Sequence, residues 1–255
     1  MWYNSSTKGG SGMAVENGEW IMRGLSWDDP LCIRSWEALI DWIDEVGFLP
    51  LFKNEAAGFS VEEHTADCFW WTGDADRDPW EWRQAIARSG RVAYGKFFAK
   101  KAGFISKAWF PQFANWRRDG YDFDSLWYDE RATMRQKRIM DQFAGRPELF
   151  SYEIKSLAGF GKGGEKNFEG TVTDLQMRGY LVIRDFRRRI NKRGEAYGWP
   201  IAVYAMPETL WGYDHIAAAY ALEPAASKAR IYEQVRRCFP AAAPAAVERV
   251  LEARI

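Results

Sequence analysis

The segment 147–207 passes from helical to strand periodicity in an order that few folds share. In chain order it contains a helix at 147–157, a glycine-rich turn at 159–164, a helix at 166–178, a strand at 180–183, a basic and turn-rich stretch at 186–198, and a strand at 201–205. Helix, turn, helix, strand, long basic hairpin and strand is the order of a winged helix. We therefore predict a winged helix over residues 146–212.

A winged helix binds DNA through its second helix, in the major groove, and through its wing, which contacts phosphates or the minor groove. Residues 176–199 contain seven Lys or Arg and two Asp or Glu, which leaves five positive charges. We therefore expect double-stranded DNA as the partner. The predicted DNA-binding residues are Lys162, Lys166, Asn167, Arg184, Arg187, Arg188 and Arg189. The alternative is a winged helix that packs against or contacts protein.

The remaining sequence predicts an α+β fold that is mostly helical. Apolar residues recur at helical spacing over 35–46, with Ser35 as a cap and Gly47 at the end. Asp78 followed by Pro79 predicts another helix start. Weaker helical patterns cover 129–143 and 214–255, and 92–98 fits either a strand or a buried turn.

Composition limits the class of protein. The chain has 255 residues, 47% of them hydrophobic, without a run of about 18 apolar residues, so we expect no membrane-spanning helix. Three distant cysteines and two histidines offer no zinc-ligand spacing, so we expect no metal. The start has no apolar signal segment, so we expect a cytoplasmic protein. We also expect a monomer. The predicted units are a flexible tail (1–14), an acidic, Trp-rich region (15–145), the winged helix (146–212) and a helical segment (213–255).

Charge is distributed unevenly although the net charge is zero. Residues 15–82 contain sixteen acids and four bases, whereas residues 83–118 contain nine bases and no acid. Such asymmetry is typical of a protein that presents one surface to a polyanion. The alternative is that the two segments pack together and neutralise each other.

Four carboxylates share one face of the helix at 35–46, because Glu37, Asp41, Asp44 and Glu45 follow its period. Asp44 and Glu45 precede an apolar segment and are expected to be partly desolvated. A carboxylate beside a sugar can stabilise an oxocarbenium-like state and orient water during cleavage of an N-glycosidic bond. We predict Asp44 and Glu45 as catalytic, with Glu37 as the other option; a solvated helix face is the alternative.

Tryptophan is abundant in the acidic region, with Trp70, Trp71, Trp80 and Trp82 interleaved with Asp74, Asp76 and Asp78. Aromatic rings stack on extruded bases or on sugars, while carboxylates bind hydroxyl groups. We predict that Trp70 and Trp71 bind substrate; ordinary core packing is the alternative.

Two further residues could act at the same site. His64 is either a hydrogen-bonded loop histidine or a proton-transfer group. Lys96 is either a phosphate ligand or, if its setting is apolar, an imine-forming nucleophile.

The sequence also resembles a known family. The run 173–183, the segment 199–204 and Pro207-Glu208 resemble the carboxyl-terminal winged helix of the AlkZ-type DNA glycosylases. The motifs Phe48-Leu49-Pro50-Leu51-Phe52 and Phe69-Trp70-Trp71 are similar to the leucine-proline and tyrosine-tryptophan motifs near that family's active site.

More closely, the block 78–124, with Arg88-Ser89-Gly90-Arg91-Val92-Ala93-Tyr94-Gly95-Lys96-Phe97-Phe98 inside it, resembles a divergent group known as AlkZ-related. Tyr94 and Lys96 of this block join the substrate-binding candidates. The resemblance covers residues 20–211 and implies tandem winged helices and removal of a modified base, without metal or cofactor, to leave an abasic site. The family's catalytic glutamine, with a second glutamine or an aspartate two residues on, has no counterpart before Phe48.

We therefore expect a monofunctional DNA glycosylase. Its substrate would be either an alkylated base in DNA repair or a bulky, hydroxymethylated or glycosylated pyrimidine of viral DNA, removed as antiviral defence. The competing interpretation is a non-catalytic winged-helix regulator of transcription.

Overall fold

The structure, a computed structural model, describes residues 14–16 and 19–252, with side-chain surroundings from residue 21 onward. The tail predicted at 1–14 therefore lies outside the described residues, except for Ala14. The helices are α1 (Trp36–Val46), α2 (Pro79–Ser89), α3 (Phe110–Arg118), α4 (Phe123–Tyr128), α5 (Met134–Met140), α6 (Ser151–Leu157), α7 (Phe168–Met177), α8 (Pro207–Trp211), α9 (Tyr213–Ile216), α10 (Pro224–Cys238) and α11 (Pro244–Leu251).

The strands form one hairpin and one larger sheet. They are β1 (Ala14–Glu16), β2 (Glu19–Ile21), β3 (Phe48–Pro50), β4 (Val92–Phe98), β5 (Lys101–Ser106), β6 (Leu149–Phe150), β7 (Val182–Ile190) and β8 (Ala196–Ala205). β1 pairs with β2, and the other six form an antiparallel sheet in the order β3-β5-β4-β7-β8-β6. Helices and an antiparallel sheet confirm the mixed α+β class; the winged helix remains a prediction.

The larger sheet joins the two halves of the chain. Within the described residues, β4 and β7 are paired through a single bridge, Tyr94 to Ile183. The register continues in both directions, so one row of side chains crosses all six strands: Leu49, Phe104, Tyr94, Ile183, Tyr204 and Leu149. Directly paired residues point to the same face of a sheet. Tyr94 therefore lies at the junction between the amino-terminal and carboxyl-terminal strands.

The first two long helices begin where the sequence predicts. The Ser35 hydroxyl accepts a hydrogen bond from the Ala38 amide at 3.2 Å, and α1 ends at Gly47 with φ of 94°. A side chain at Gly47 would also collide with the ring of Trp109, 2.6 Å from an added Cβ. The buried Asp78 carboxylate caps α2 by accepting the Trp80 amide at 2.9 Å.

Several predicted boundaries are wrong for local reasons. The helix expected at 129–143 shortens to α5 and a 3₁₀ turn, because Thr133 and Gln136 form a capping box. The helix expected at 147–157 begins only at Ser151, since the two preceding residues pair with β8 as β6. The stretch at 186–198 is mostly strand, because β7 and β8 extend into it as one long hairpin.

The helical prediction for 214–255 is confirmed within the described residues. Pro224 and Pro244 each occupy the first turn of a helix, α10 and α11, with a break in the helical segment just before each of them. No described helix is long and apolar enough to cross a membrane.

The centre of the fold contains a buried ion pair. Arg118, 1% exposed, donates from Nη1 to Glu208 Oε1 at 2.5 Å and to the Tyr220 hydroxyl at 3.1 Å. Its Nη2 donates to the Gly179 carbonyl at 2.5 Å. One guanidinium thus connects α3, the end of α7, the start of α8 and the turn before α10.

Removing the carboxylate of this pair should destabilise the protein strongly. Glu208→Gln leaves the Arg118 charge buried without a counter-ion, so we expect a loss of about 3–5 kcal/mol in the free energy of unfolding, measured by urea denaturation. Arg249→Ala removes an exposed pair with Glu55 and should cost at most about 1 kcal/mol. A Glu208→Gln loss no larger than that of the control would contradict the role given to Arg118.

Candidate functional site

The β7–β8 hairpin contains the predicted wing arginines. Arg184 and Arg187 make polar contacts within the protein, and Arg189 lies over the ring of Tyr152, 4.5 Å from its centroid. Arg187 forms ion pairs with Glu148 at 2.5 Å and Asp185 at 3.3 Å. Arg184 donates to the carbonyls of Ala87 at 2.8 Å and Arg88 at 2.7 Å, at the end of α2. These contacts attach the hairpin to β6 and to α2, so both side chains have a structural role.

The outer part of the hairpin has unpaired cations beside aromatic rings. Arg188, Lys192 and Arg193 are exposed, and no described residue pairs with their side chains. Trp199 is 85% exposed and Tyr197 is 48% exposed. The pairing register shifts between Arg187 and Arg189, opposite Trp199. Cations next to aromatic rings on an exposed ribbon are suited to phosphates and bases.

The helix predicted to enter the major groove, α7, is packed inside the protein over most of its length. Along α7, the residues at 171–173 and 175–177 are buried, and the helix packs against β4 and α5. Gln176 is buried and accepts the Lys96 amide at 3.1 Å. The outward positions of α7 include Glu169 and Asp174, whose charge is unfavourable for DNA. Most of α7 is therefore closed to DNA, and its insertion in the major groove remains a prediction.

The turn before α7 is exposed, and it contains the other predicted DNA ligands. Lys162, Lys166 and Asn167 are all exposed, and Asn167 has a φ of 65°. Glu165, which lies between the two lysines in the sequence, forms ion pairs with Arg135 at 3.0 Å and with Arg138 at 3.6 Å on α5. The turn is therefore held to α5 while its two lysines remain unpaired among the described residues.

Trp70 and Trp71 have different environments. Trp70 is buried and donates from Nε1 to the Thr65 hydroxyl at 3.1 Å, as expected for core packing. Trp71 is 41% exposed, adopts a φ of 66°, and lies with its ring centroid 4.5 Å from that of Trp80. Phe52 stacks on Trp71 and on Trp80, each at 6.1 Å. Trp71 is thus a supported aromatic surface that faces solvent.

Two of the three loop carboxylates near these rings are engaged locally. Asp74 pairs with Arg77 at 2.6 Å, and this side-chain hydrogen bond lowers the pKa of Asp74. Asp78 caps α2 and also accepts the Gly73 amide at 2.9 Å. Asp76 is exposed, and no described residue contacts its carboxylate. Of the three, Asp76 alone has a carboxylate available to a ligand.

Arg83 links this aromatic group to the hairpin. Its guanidinium lies between two rings, 3.5 Å from the centroid of Trp80 and 4.8 Å from that of Phe186 on β7. Tyr94, 4% exposed, lies with its ring 5.9 Å from Phe186. Burial lowers the pKa of Arg83 and raises the pKa of Tyr94 to about 12. The order Trp71, Trp80, Arg83, Phe186, Tyr94 connects the exposed surface to the sheet.

The predicted catalytic carboxylates lie on a solvated face. Glu37, Asp44 and Glu45 are all exposed, so the expected partial desolvation is wrong. Arg91 contacts Asp41 at 3.0 Å and Asp44 at 2.6 Å, so the acidic and basic segments do neutralise each other at this point. The catalytic roles themselves remain a prediction.

His64 and Lys96 have ordinary surroundings. His64 Nε2 lies 2.8 Å from the Gly58 carbonyl, and its ring lies 4.4 Å from that of Trp42. These contacts are those of a satisfied loop histidine. Lys96 has an exposed side chain, so the apolar setting that an imine-forming lysine needs is missing. Among the described residues there is no cluster of three or more His, Cys, Asp or Glu that could hold a metal.

Sequence reasoning missed Arg83 and its ring partners. Arg83 follows Trp80 by three positions on α2, which places both on one helix face, and that spacing was a usable signal. Its second partner, Phe186, is about a hundred residues away and becomes visible only through the sheet.

Comparison with known proteins identifies the family of the chain. No curated protein and no solved structure is similar to this sequence. The family model described as AlkZ related matches residues 33–252, nearly the whole chain. The chain therefore belongs to the AlkZ-related family.

Proposed function

We propose that this protein is a DNA glycosylase that removes a modified base from duplex DNA. Membership in the AlkZ-related family over residues 33–252 is the observation that carries the proposal. The exposed cations and aromatic rings of the β7–β8 hairpin support it from the structure. In the reaction, the bond between C1′ and the base nitrogen breaks, water oxygen bonds to C1′, and the released base takes up a proton.

DNA would bind through the hairpin and the turn at 159–167 rather than through the length of α7. The order β6, α6, α7, β7, β8 and the sheet order β7-β8-β6 agree with a winged helix whose wing is the hairpin. Arg188, Lys192 and Arg193 contact phosphates, while Trp199 meets the bases or the groove. Because α7 is buried, its contribution is restricted to its amino-terminal end.

The extruded base would stack on Trp71. Glycosylases act on a nucleotide that has left the helical stack, and aromatic side chains hold such a base. Trp71 is partly exposed, rests on Trp80, and connects through Arg83 to Phe186 on the hairpin. A duplex held by the hairpin therefore has an aromatic surface next to its binding site.

A bulky, polar pyrimidine is the substrate that this site favours. Trp71 provides a stacking face, and the unpaired carboxylate of Asp76 can bind hydroxyl groups. Glycosylated or hydroxymethylated pyrimidines of viral DNA have both features, and their removal would serve antiviral defence. An unmodified base would leave the polar groups unpaired, which disfavours it.

The reaction would be assisted by a carboxylate of α1. Asp44 and Glu45 can stabilise the oxocarbenium-like state and orient water, and Glu37 is the other candidate. Arg91 holds Asp44 in a fixed place, which helps a group that acts by position.

A non-catalytic regulator is the second candidate function. The sequence contains no glutamine before Gln84, so the family's catalytic pair has no counterpart ahead of Phe48. This observation favours DNA binding without chemistry.

A panel of duplexes tests catalysis and substrate together. We expect alkali-labile abasic sites in duplexes with glucosylated 5-hydroxymethylcytosine or 5-hydroxymethylcytosine, and fewer in one with N7-methylguanine. Preference for the methylated purine would instead assign the protein to alkylation repair. Tight binding with no abasic sites in any duplex would establish the regulator.

Substitutions on α1 test the catalytic carboxylate. Asp44→Asn and Glu45→Gln keep shape and remove charge, so the catalytic one should slow single-turnover excision by about 10²-fold or more at unchanged DNA affinity. Asp41→Asn is the matched control, because Asp41 contacts the same Arg91. If all three variants and Glu37→Gln excise the base at the wild-type rate, this face of α1 is excluded from catalysis.

The salt dependence of binding tests the hairpin. Arg188→Ala and Lys192→Ala should each reduce the slope of log affinity against log salt by about one unit, for every sequence alike. Glu195→Ala, at the same tip, removes no cation and serves as the control. A slope that is unchanged in both cation variants would remove the hairpin from the DNA-binding surface.

A further inference from the structure

Arg83 is a half-buried cation whose donors are largely unused. Among the described residues no carboxylate lies within ion-pair distance of it, and its hydrogen bond goes to the Trp80 carbonyl of its own helix. A guanidinium has five N–H donors in a planar fork. Most of the Arg83 donors therefore have no acceptor in the protein.

Two other enclosed arginines of this chain make more structural hydrogen bonds than Arg83 does. Arg118 donates to Glu208, Tyr220 and Gly179. Arg117 donates to the carbonyls at the ends of α7 and α11, at 3.0 and 3.3 Å. Arg83 differs because its guanidinium makes a single hydrogen bond, while two ring faces fix its plane and leave its edge free.

Tyr94 adds a second unused polar group next to Arg83. Tyr94 is only 4% exposed, and no described residue forms a hydrogen bond with its hydroxyl. Burial raises the pKa of the Tyr94 hydroxyl, and the nearby positive charge of Arg83 acts in the opposite direction. The Tyr94 oxygen is not among the fully enclosed polar atoms that lack a partner in the described residues, so it keeps some access and is free to bond a ligand.

We propose that Arg83 and Tyr94 form a specificity site that binds an acceptor oxygen of the extruded base or of its substituent. This inference rests on the proposed function and names the part of the substrate that is recognised. Carbonyl and hydroxyl oxygens match the guanidinium fork and the phenol. Trp80 separates Trp71 from Arg83, with 4.5 Å between the indole centroids and 3.5 Å from Trp80 to the guanidinium. The guanidinium thus lies one indole beyond Trp71, where a polar substituent that extends past the edge of a base stacked on Trp71 can reach it.

Equilibrium binding to three duplexes tests this site without requiring turnover. One contains glucosylated 5-hydroxymethylcytosine on a 2′-fluoro sugar, which resists glycosidic cleavage, one contains a tetrahydrofuran abasic analogue, and one is unmodified. We expect Arg83→Gln to weaken binding to the first duplex by about tenfold or more and to leave the abasic duplex unchanged. Arg83→Lys should behave similarly because it lacks the fork, and Tyr94→Phe should cost about threefold or more.

Arg193→Gln is the matched control, because it removes one exposed, unpaired cation at the hairpin tip and should weaken all three duplexes equally. Circular dichroism verifies the fold of each variant, and Arg83→Lys retains the test if Arg83→Gln unfolds. Equal weakening of all duplexes by Arg83→Gln, with a smaller salt slope, would make Arg83 a phosphate ligand and overturn the proposal. Unchanged binding in both Arg83 variants, or a wild type that does not distinguish the modified from the abasic duplex, would also overturn it.

Failure of the Arg83–Tyr94 site can be distinguished from failure of the proposed glycosylase function. Selective loss of binding in the Arg83 variants, together with a wild type that never produces abasic sites, would support the site and reject the glycosylase. Excision that proceeds normally in the Arg83 and Tyr94 variants would retain the glycosylase and reject the site.

Discussion

The buried charge of Arg118 is the constraint on which the arrangement of the carboxyl-terminal half depends. Its guanidinium contacts the Glu208 carboxylate, the Tyr220 hydroxyl and the Gly179 carbonyl, each on a different segment. A buried charge is tolerated only where a counter-ion and hydrogen-bond acceptors surround it in good geometry. Only an arrangement that brings the end of α7 and the start of α8 together at α3 satisfies that requirement. The position of β7, which begins three residues after Gly179, is thereby fixed relative to α3.

The elements that the sequence predicts best are those whose signals are local. Ser35 and Gly47 bound α1 because capping and a positive φ need only near neighbours, and Asp78 with Pro79 starts α2 for the same reason. The length of the β7–β8 hairpin is a different case. It depends on β6 and on Arg187, which pairs with Glu148, and such contacts are invisible in a linear pattern. Pro224 illustrates a local signal with two meanings, since proline both ends a helix and begins one.

The candidate site was predictable in residue type more than in geometry. Adjacent tryptophans indicate stacking, yet only the fold shows that Trp70 is core and Trp71 faces solvent. Helical periodicity likewise places Asp44 and Glu45 on one face but says nothing about burial, which depends on what packs there. The interior position of α7 depends on contacts with β4, such as the hydrogen bond from the Lys96 amide to Gln176, which join residues far apart in the sequence. Arg83 carried a usable signal in its spacing from Trp80, whereas its enclosure by Phe186 required the sheet.

The alternation of side chains along β7 makes this strand a partition between two environments. Phe186 faces Arg83 and Tyr94 on one side, whereas the next residue, Arg187, faces Glu148 and the ring of Phe150, 5.2 Å away, on the other. Neighbouring positions thus meet different structural requirements. Under the proposed function, substitutions on the Phe186 side change what the protein recognises, while the Arg187 side keeps the hairpin anchored. Recognition and anchoring are then separated by a single position along one strand.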